Sequence, residues 1–352
     1  MRHLHKILTA VLLVLLPVSC EKMITLDGSD EKFIIANGFL NSSDSLHAVS
    51  VVKGGFRMSN FETIQSARLQ CFVNGEPAGG TDSLVEAASI YFAKISKMIF
   101  KARFNPGDEV KIEIDADGLH AEIKETVPMP APVTSVDTAI VLRRNTEGNM
   151  ERVFQLGVSV TDRPGEDNYY RLMMRLQGRA VVERLEVSDP DGFPSVGEEI
   201  GSQDCSISFD NSEEPVLNKR MDIFGDGENY YDNKYNIFTD ALFRNGSCRL
   251  STLVSRYDLS VPVMFYRPGQ LYMRVSRKII VSLASMNRDN YMYLDDMQFE
   301  DSSLSDSFLT EEMPYPSNVR GGRGFVGISS RSDFVVNLRD VITDDGYGKY
   351  TW

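Results

Sequence analysis

Four carboxylates with suitable chemistry for a cation fall within one loop-rich stretch of the sequence. Oxygen ligands on a flexible, glycine-containing loop suit calcium, which prefers hard donors. Their spacing departs from that of an EF-hand loop, so a solvated acidic loop is the interpretation that the pattern favours. The four candidate metal ligands are Asp222, Asp226, Glu228 and Asp232.

Three tyrosines accompany these carboxylates. A tyrosine joins a broad apolar ring to a hydroxyl group, so a loop that carries several of them can hold a ligand by stacking and by hydrogen bonding. We therefore predict a ligand-binding loop at Tyr230, Tyr231 and Tyr235. The single tryptophan is the last residue, Trp352, so the stacked-tryptophan platform common in sugar binding is not available.

Histidine, a frequent proton-transfer group near neutral pH, is scarce in this sequence. Two of the four histidines lie in the first five residues, which leaves His47 and His120 in the body of the chain. Two histidines allow neither a multi-histidine metal site nor a convincing Ser-His-Asp triad, and no GxSxG segment is present. We therefore predict that the protein is not an enzyme and uses no cofactor, with calcium at the acidic loop as the one exception.

The first twenty residues predict acylation of a cysteine. A basic head at residues 1–6 precedes an apolar stretch at residues 7–16, and a small residue stands directly before Cys20. This is the pattern of a bacterial lipoprotein signal, in which residues 1–19 are removed and Cys20 carries acyl chains such as palmitate. The apolar stretch would span about 15 Å as a helix, half of a hydrocarbon core of about 30 Å, which disfavours a transmembrane anchor. A soluble secreted form is the alternative.

The net charge of the chain limits the classes of partner that it is expected to bind. With a formal net charge of −13, the protein repels phosphate backbones, so we predict no nucleic-acid partner. The same charge disfavours adsorption to anionic membranes, which makes the Cys20 lipid the predicted means of membrane contact. The predicted location is the cell envelope.

The other cysteines leave two interpretations open. In an exported protein, Cys205 and Cys248 could form a disulfide that closes a loop across the loop-rich stretch. The alternative is that both are buried thiols, as Cys71 is expected to be in its apolar segment. No CxxC pair occurs, so a zinc ribbon is excluded.

The elements that must position these groups are mainly β-strands. After a polar tether at residues 20–31, residues 32–127 carry short apolar or alternating runs, which predict an N-terminal immunoglobulin-like antiparallel sandwich. Apolar and charged side chains alternate at residues 110–115, and the turn at Asp117 and Gly118 leads into a second strand to make a hairpin. Alternate prolines make residues 128–133 a Pro-rich linker.

Residues 134–352 are predicted to form a second, larger antiparallel β domain, a sandwich or a barrel, with long loops. One helix is expected near residues 286–298, with Ser285 or Asn287 as its N-cap. Residues 324–328 and 334–338 are expected to form a closing hairpin. The glycines at positions 321, 322 and 324 indicate a tight turn or bulge, because they precede a strand and not the helix of a phosphate-binding loop.

Several segments, taken in order, resemble the domain-of-unknown-function family 4249. The most specific are Asp-Asn-Tyr-Tyr-Arg at 167–171 and Ser-Asn-Val-x-Gly-Gly-x-Gly-Phe at 317–325, and the others include residues 32–40, 67–73 and 290–294. The resemblance implies an outer-membrane lipoprotein of Bacteroidota-type bacteria, often encoded beside a TonB-dependent receptor, and it supplies no catalytic residues. Arg320 stands where the family often has an acidic residue.

Three functional hypotheses follow from these features. The leading one is a non-catalytic accessory or binding protein, anchored to the outer membrane, that works with a TonB-dependent transporter in nutrient uptake. The alternative is an adhesin or an envelope-assembly component that uses its sheets for protein contact. A hydrolase that uses paired carboxylates is the third hypothesis.

Overall fold

Strands dominate the computed structural model, which describes residues 31–55, 61–90, 93–144, 148–188, 190–218, 233–300 and 316–345. Strands make up 58% of the structure and helices 5%, so the predicted mainly β class is confirmed. The helices in the described part are a short 3-10 helix, Asp240–Leu242, and one α-helix, α1 (Arg288–Glu300). The strands are β1 (Phe33–Asn41), β2 (Leu46–Gly54), β3 (Ala67–Val73), β4 (Glu76–Thr81), β5 (Val85–Ile90), β6 (Ala93–Lys101), β7 (Glu109–Ala116), β8 (Leu119–Thr126), β9 (Val133–Arg144), β10 (Met150–Thr161), β11 (Tyr169–Leu185), β12 (Glu199–Ser206), β13 (Ile237–Thr239), β14 (Ser247–Val254), β15 (Leu271–Met286), β16 (Val319–Arg320), β17 (Gly322–Arg323), β18 (Val326–Asn337) and β19 (Val341–Thr343).

The described strands form three sheets. The largest has 11 strands along the path β12-β11-β15-β18-β1-β2-β6-β5, with β13, β17 and β19 paired at its sides. A five-stranded sheet has the order β16-β8-β7-β3-β4, and a three-stranded sheet has the order β14-β10-β9. Neighbouring strands are antiparallel except where β1 meets β17 and β18, which run parallel to it.

The N-terminal strands form a sandwich because their apolar side chains alternate. In the β7–β8 hairpin, Val110, Ile112 and Ile114 all point to one face and are almost fully buried. The turn residues Asp117 and Gly118 have φ angles of 50° and 82°, which a tight two-residue hairpin turn requires. The buried face packs against the apolar residues of β1, β2 and β6. Two sheets therefore face each other across one core, in the predicted sandwich arrangement.

A second core follows the proline-containing segment and joins the buried faces of β10, β11, β14 and β15. The segment between the cores is itself held in place. The Ser330 hydroxyl donates to the Pro128 carbonyl oxygen at 2.6 Å, and the Ala131 backbone N–H donates to the Ser285 hydroxyl oxygen at 3.0 Å. The division of the chain into separate domains at residues 128–133 stays a prediction.

The C-terminal part of the chain connects the two cores. β16 pairs with β8, β17 pairs with β1, and Val319, Val326 and Ile328 belong to the N-terminal core. Residues 326–329 of β18 run parallel to β1, whereas residues 329–337 run antiparallel to β15. The predicted closing hairpin is therefore wrong: these residues form one continuous strand whose two halves have different partners.

Helix α1 lies two residues further along the chain than predicted. Ser285 belongs to β15 and is buried, whereas the Asn287 carbonyl accepts the Tyr291 N–H at 3.1 Å in the first turn. The Asn287 side chain does not cap the helix but donates to Glu125 Oε1 at 2.7 Å. Tyr291 and Leu294 are buried in one small cluster, as their helical spacing predicts.

Candidate functional site

A buried polar cluster fixes the point where β11 begins. Asn168 is almost fully buried, and its Nδ2 donates to two carbonyl oxygens of the preceding turn at 2.9 and 3.0 Å. The Tyr170 hydroxyl donates to Asp162 Oδ1 at 2.7 Å, while Asp162 Oδ2 accepts the Asn245 backbone N–H at 2.8 Å. Burial raises the pKa of Tyr170, and the bond to the Asp162 carboxylate raises it further. These contacts hold the first residues of β11 in one orientation.

We expect Tyr170→Phe to destabilise the protein. The substitution removes one donor from the Asp162 carboxylate, which is only 5% exposed, and a buried acceptor that loses its partner costs about 1–3 kcal/mol. Chemical denaturation measures this as a loss in the free energy of unfolding. The matched control is Tyr169→Phe, on the opposite face of the strand, which should cause a smaller loss. Equal losses in the two variants would contradict the role of the Tyr170 hydroxyl.

A cleft of about 500 Å³ lies where the neighbour of β11 changes. Residues 169–171 of β11 pair with β13, and pairing with β12 begins only at residue 175. The strand edge at residues 172–174 therefore faces the gap between the ends of two other strands. This volume lies within the range of small-molecule sites, about 300–1,000 Å³. Residues that line the cleft include Arg171, Met173, Ser206, Phe209, Asn211 and Lys234.

Amide side chains hold the wall of the cleft. Asn233 Nδ2 donates to the Leu217 and Ile237 carbonyl oxygens, both at 2.7 Å, and its Oδ1 accepts the Ile237 N–H at 3.0 Å. Asn211 Nδ2 donates to Asn236 Oδ1 at 2.6 Å. Because these amides are bonded to the protein itself, the wall is formed before any ligand arrives.

Arg171 lies on the opposite face of β11 from the buried Tyr170 ring and is half-buried in the cleft wall. Its Nε donates to the Tyr235 carbonyl oxygen at 3.1 Å, and its guanidinium carbon lies 5.4 Å from the centroid of the Tyr235 ring. Burial lowers the pKa of Arg171, although an arginine stays charged at neutral pH. Within the described residues, no carboxylate forms an ion pair with it.

The chemistry of the lining supports binding. The described residues that line the cleft include no histidine, cysteine or glutamate. Their one carboxylate, on Asp210, is paired with Arg143. Hydroxyl, amide and cationic groups remain, beside the apolar side chains of Met173 and Phe209, and a mixture of this kind can orient a bound ligand.

The structure describes one of the three predicted ligand-binding tyrosines. Tyr235 is half-buried; its N–H donates to Gln298 Oε1 at 3.5 Å, and it packs beside the α1 cluster. It contributes to the cleft by holding Arg171. Tyr230 and Tyr231 lie outside the described residues.

The predicted metal ligands also lie outside the described residues, so calcium binding stays a prediction. They are Asp222, Asp226, Glu228 and Asp232. In the ranges that the structure covers, no group of three or more His, Cys, Asp or Glu side chains could hold a metal ion.

The cysteines in the described part of the chain are free thiols, of which Cys71 is buried and Cys205 and Cys248 are half-buried. Cys205 on β12 and Cys248 on β14 are free thiols in the structure, and their strands belong to different sheets. Burial raises the pKa of the Cys248 thiol to about 12. Cys20 lies outside the described residues, so its acylation stays a prediction.

Sequence reasoning did not identify Arg171 as a site residue. The segment Asp-Asn-Tyr-Tyr-Arg at 167–171 entered only through the family resemblance, and in the structure Asn168 and Tyr170 hold the start of β11 in place. Strand alternation could have separated Arg171 from them, because it places Tyr170 and Leu172 on the core face and Arg171 on the other.

The fold and the cleft define a class: a mainly β protein of several sheets with a ligand-sized, polar cleft at a sheet edge. The chain belongs to the family described as Domain of unknown function (DUF4249), whose model matches residues 21–334. The family predicted from the ordered segments is thus confirmed.

Other comparisons add little to the family assignment. A solved structure, the Streptococcus agalactiae AgI/II polypeptide BspA C-terminal domain, is 10% identical and is matched over 70% of this chain and 95% of that chain. Its TM-score of 0.14 is too low to support an argument about fold or function. No curated protein matches the sequence. In the described part of the chain, no helix combines the length and apolar character needed to cross a membrane.

Proposed function

We propose that this protein is a lipid-anchored, non-catalytic binding protein of the outer membrane that works with a TonB-dependent transporter in nutrient uptake. The observation that carries the binding role is the cleft of about 500 Å³, whose wall is held by internally bonded amides and carries Arg171. The anchor is supported by the sequence of residues 1–20, and the transporter by the resemblance to lipoproteins encoded beside such receptors.

Anchoring at Cys20 would keep the cleft close to a membrane partner. The chain from Cys20 to the first strand residue, Phe33, advances 33 − 20 = 13 residues. At about 3.3–3.6 Å per residue, this segment reaches at most about 45 Å. A ligand captured by a protein that is tethered to the same membrane as a transporter has a higher effective concentration there than the same ligand free in bulk solution.

The anchor and the partner are tested together by Cys20→Ala in the native host. The unmodified chain should incorporate a labelled fatty acid, fractionate with the outer membrane and recover a TonB-dependent receptor in a native pull-down. Cys20→Ala should lose the label and the membrane fractionation, because the acylated thiol is gone. Cys205→Ala is the matched control and should behave like the unmodified chain, since that thiol lies in a strand.

Two outcomes would count against this function. A label retained in Cys20→Ala would place the lipid elsewhere and contradict the anchor. A pull-down without a receptor, together with unchanged nutrient uptake after gene deletion, would contradict the transporter partnership.

One observation favours the adhesin or envelope-assembly alternative. β9 is 12 residues long and, among the described strands, pairs only with β10. Its Ile140 and Leu142 side chains are 49% and 66% exposed. An edge strand of this kind can accept a strand from another protein. Recovery of a surface-fibre or envelope-assembly protein in place of the receptor would favour this alternative. The hydrolase hypothesis rests on carboxylates outside the described residues.

A further inference from the structure

Arg171 has no carboxylate partner among the described residues, whereas several other arginines of its sheet are paired with carboxylates. On the same strand, Arg175 Nε lies 3.2 Å from Asp204 Oδ1. On the neighbouring strand, Arg274 forms two hydrogen bonds with the Glu183 carboxylate at 2.7 and 2.9 Å. Arg171 is less exposed than either, and the side-chain interactions it makes with described residues are with the neutral Tyr235 carbonyl and ring. A charge taken out of water without a counter-ion is unfavourable, so an anion that reached it would be strongly stabilised.

The surroundings of Arg171 prepare it to accept such an anion. The bond from Nε and the ring contact with Tyr235 hold one edge and one face of the guanidinium, which restricts its orientation before a ligand binds. A guanidinium fixed in this way retains donors for a carboxylate or phosphate, which it can bind through two parallel hydrogen bonds. Lys234 lines the same cleft, and the only carboxylate of the described lining, Asp210, is already paired with Arg143. The described lining therefore carries two cationic side chains and one carboxylate that is already paired, in a protein with a net charge of −13.

We propose that the cleft binds the anionic group of a small ligand, a carboxylate or a phosphate, and that Arg171 is the residue that receives it. The proposal rests on the proposed function for the use of this cleft and adds the chemical class of the ligand. Packing does not require a charge at this position, because the side chains that β11 contributes to the core, among them Tyr170 and Leu172, lie on its other face.

The volume of the cleft and the net charge of the protein limit the ligand to a small anion. Long polyanions meet the repulsion of the whole acidic surface. A small anion at Arg171 feels mainly local groups, since charges further away than a Debye length of about 8 Å at physiological salt are largely screened. The volume of about 500 Å³ is likewise that of a small-molecule site.

Calorimetric titration of the chain, purified from membranes in detergent, tests this assignment with two probes, citrate and inorganic phosphate. The unmodified chain should bind at least one of them saturably. Arg171→Gln should weaken that binding about tenfold or more, the usual effect of losing a charge-assisted hydrogen bond. Arg175→Gln is the matched control: it removes an arginine from the same face of β11, and its affinity should be unchanged. Preference for citrate would assign a carboxylate ligand, and preference for phosphate a phosphorylated one.

Two further measurements separate binding from a structural role. Arg171→Lys keeps the charge but loses the planar guanidinium that can donate two parallel hydrogen bonds. Its affinity for the anion should therefore fall between those of the unmodified chain and Arg171→Gln. In the unmodified chain, the bound anion should slow the reaction of Arg171 with phenylglyoxal and leave the rate at Arg175 unchanged, a test that does not depend on any variant folding.

Absence of saturable binding of either probe up to about 10 mM, about tenfold above the 1 mM Kd that corresponds to about −4 kcal/mol, would overturn the proposal. Equal binding by Arg171→Gln, or no protection of Arg171 from phenylglyoxal, would do the same. None of these results bears on acylation of Cys20 or on recovery of a receptor, so failure of the anion assignment is distinguishable from failure of the proposed function.

Discussion

Gly324→Ala is expected to cost about 3 kcal/mol or more of folding stability. Gly324 has a φ of 101°, a conformation that L side chains rarely adopt. A Cβ there would also overlap the Ala36 carbonyl oxygen of β1 and lie 2.8 Å from Asn37 Oδ1. Asn37 Oδ1 accepts the Phe325 N–H at 3.0 Å, and the Phe325 carbonyl accepts the Gly38 N–H at 3.0 Å. The extra methyl group would therefore separate β1 from the start of β18, where the C-terminal strand joins the N-terminal core.

A second glycine separates the two causes of this loss. Gly107 has a φ of 91°, but a Cβ built there meets nothing within 4 Å. Gly107→Ala should therefore show only the backbone strain, about 1–2 kcal/mol. Chemical denaturation of the unmodified chain and the two variants measures the free energies of unfolding. An insoluble Gly324→Ala beside a soluble Gly107→Ala would agree with the expectation, whereas equal losses would show that the close approach to β1 is unimportant.

The second large effect concerns the pH dependence of stability and the half-buried carboxyl group of Glu125. Glu125 Oε1 accepts a hydrogen bond from Asn287 Nδ2 at 2.7 Å, and Oε2 accepts one from Asn318 Nδ2 at 3.2 Å. Burial raises the pKa of Glu125 to about 7, and the nearby Asp289 charge adds to the increase, although the donors oppose it. Glu125 thus connects β8 to the residue before α1 and to the segment that precedes β16.

The sign of the effect follows from where the proton is held. Between the ordinary pKa of 4.5 and the folded value of about 7, the folded chain binds a proton that the unfolded chain has released. The contribution of this group to stability is therefore fully present below about pH 4.5 and is lost as the pH rises through about 7. At 1.36 kcal/mol per pKa unit, the loss amounts to as much as about 3 kcal/mol.

Glu125→Gln tests this dependence, because an amide has nearly the shape and hydrogen-bonding pattern of a protonated carboxyl group. Measured by chemical denaturation, the variant should match the unmodified chain near pH 5 and exceed its free energy of unfolding near pH 8, by up to about 3 kcal/mol. Glu122→Gln, which removes a carboxylate from the other face of β8, should keep the pH dependence of the unmodified chain. A Glu125→Gln variant with that same dependence would assign the effect to another group.

Much of the N-terminal half could be predicted from its sequence because its determinants are local. In β7, alternation alone places Val110, Ile112 and Ile114 on the core face, and Asp117 and Gly118 supply the positive φ angles of the turn. Local sequence signals also predicted both ends of α1 to within two residues. They failed for β18, since alternation at residues 324–338 is the same whether the chain reverses or continues as one strand.

The cleft could not have been predicted in the same way. Its existence depends on β12 and β13 ending at different points along β11, and these strands are separated in sequence by residues 207–236. Of the predicted ligand-binding tyrosines, Tyr235 is described, and its backbone carbonyl accepts a hydrogen bond from Arg171 on β11.

By itself, the sequence determined the mainly β class, the N-terminal hairpin, the acidic charge and membership of the family. Strand alternation and turn residues depend on neighbours in the chain, net charge depends on composition, and family membership depends on the order of short motifs. None of these requires knowledge of which distant residues meet in space. Only the tertiary structure decided which strands pair with β18, where the chain leaves no room for a Cβ, and which charges are paired. Whether a charged side chain has a counter-ion depends on its neighbours in space, and these neighbours come from residues far apart in the chain. The difference between Arg175, which has a carboxylate partner, and Arg171, which has none among the described residues, therefore emerges only when the strands are assembled.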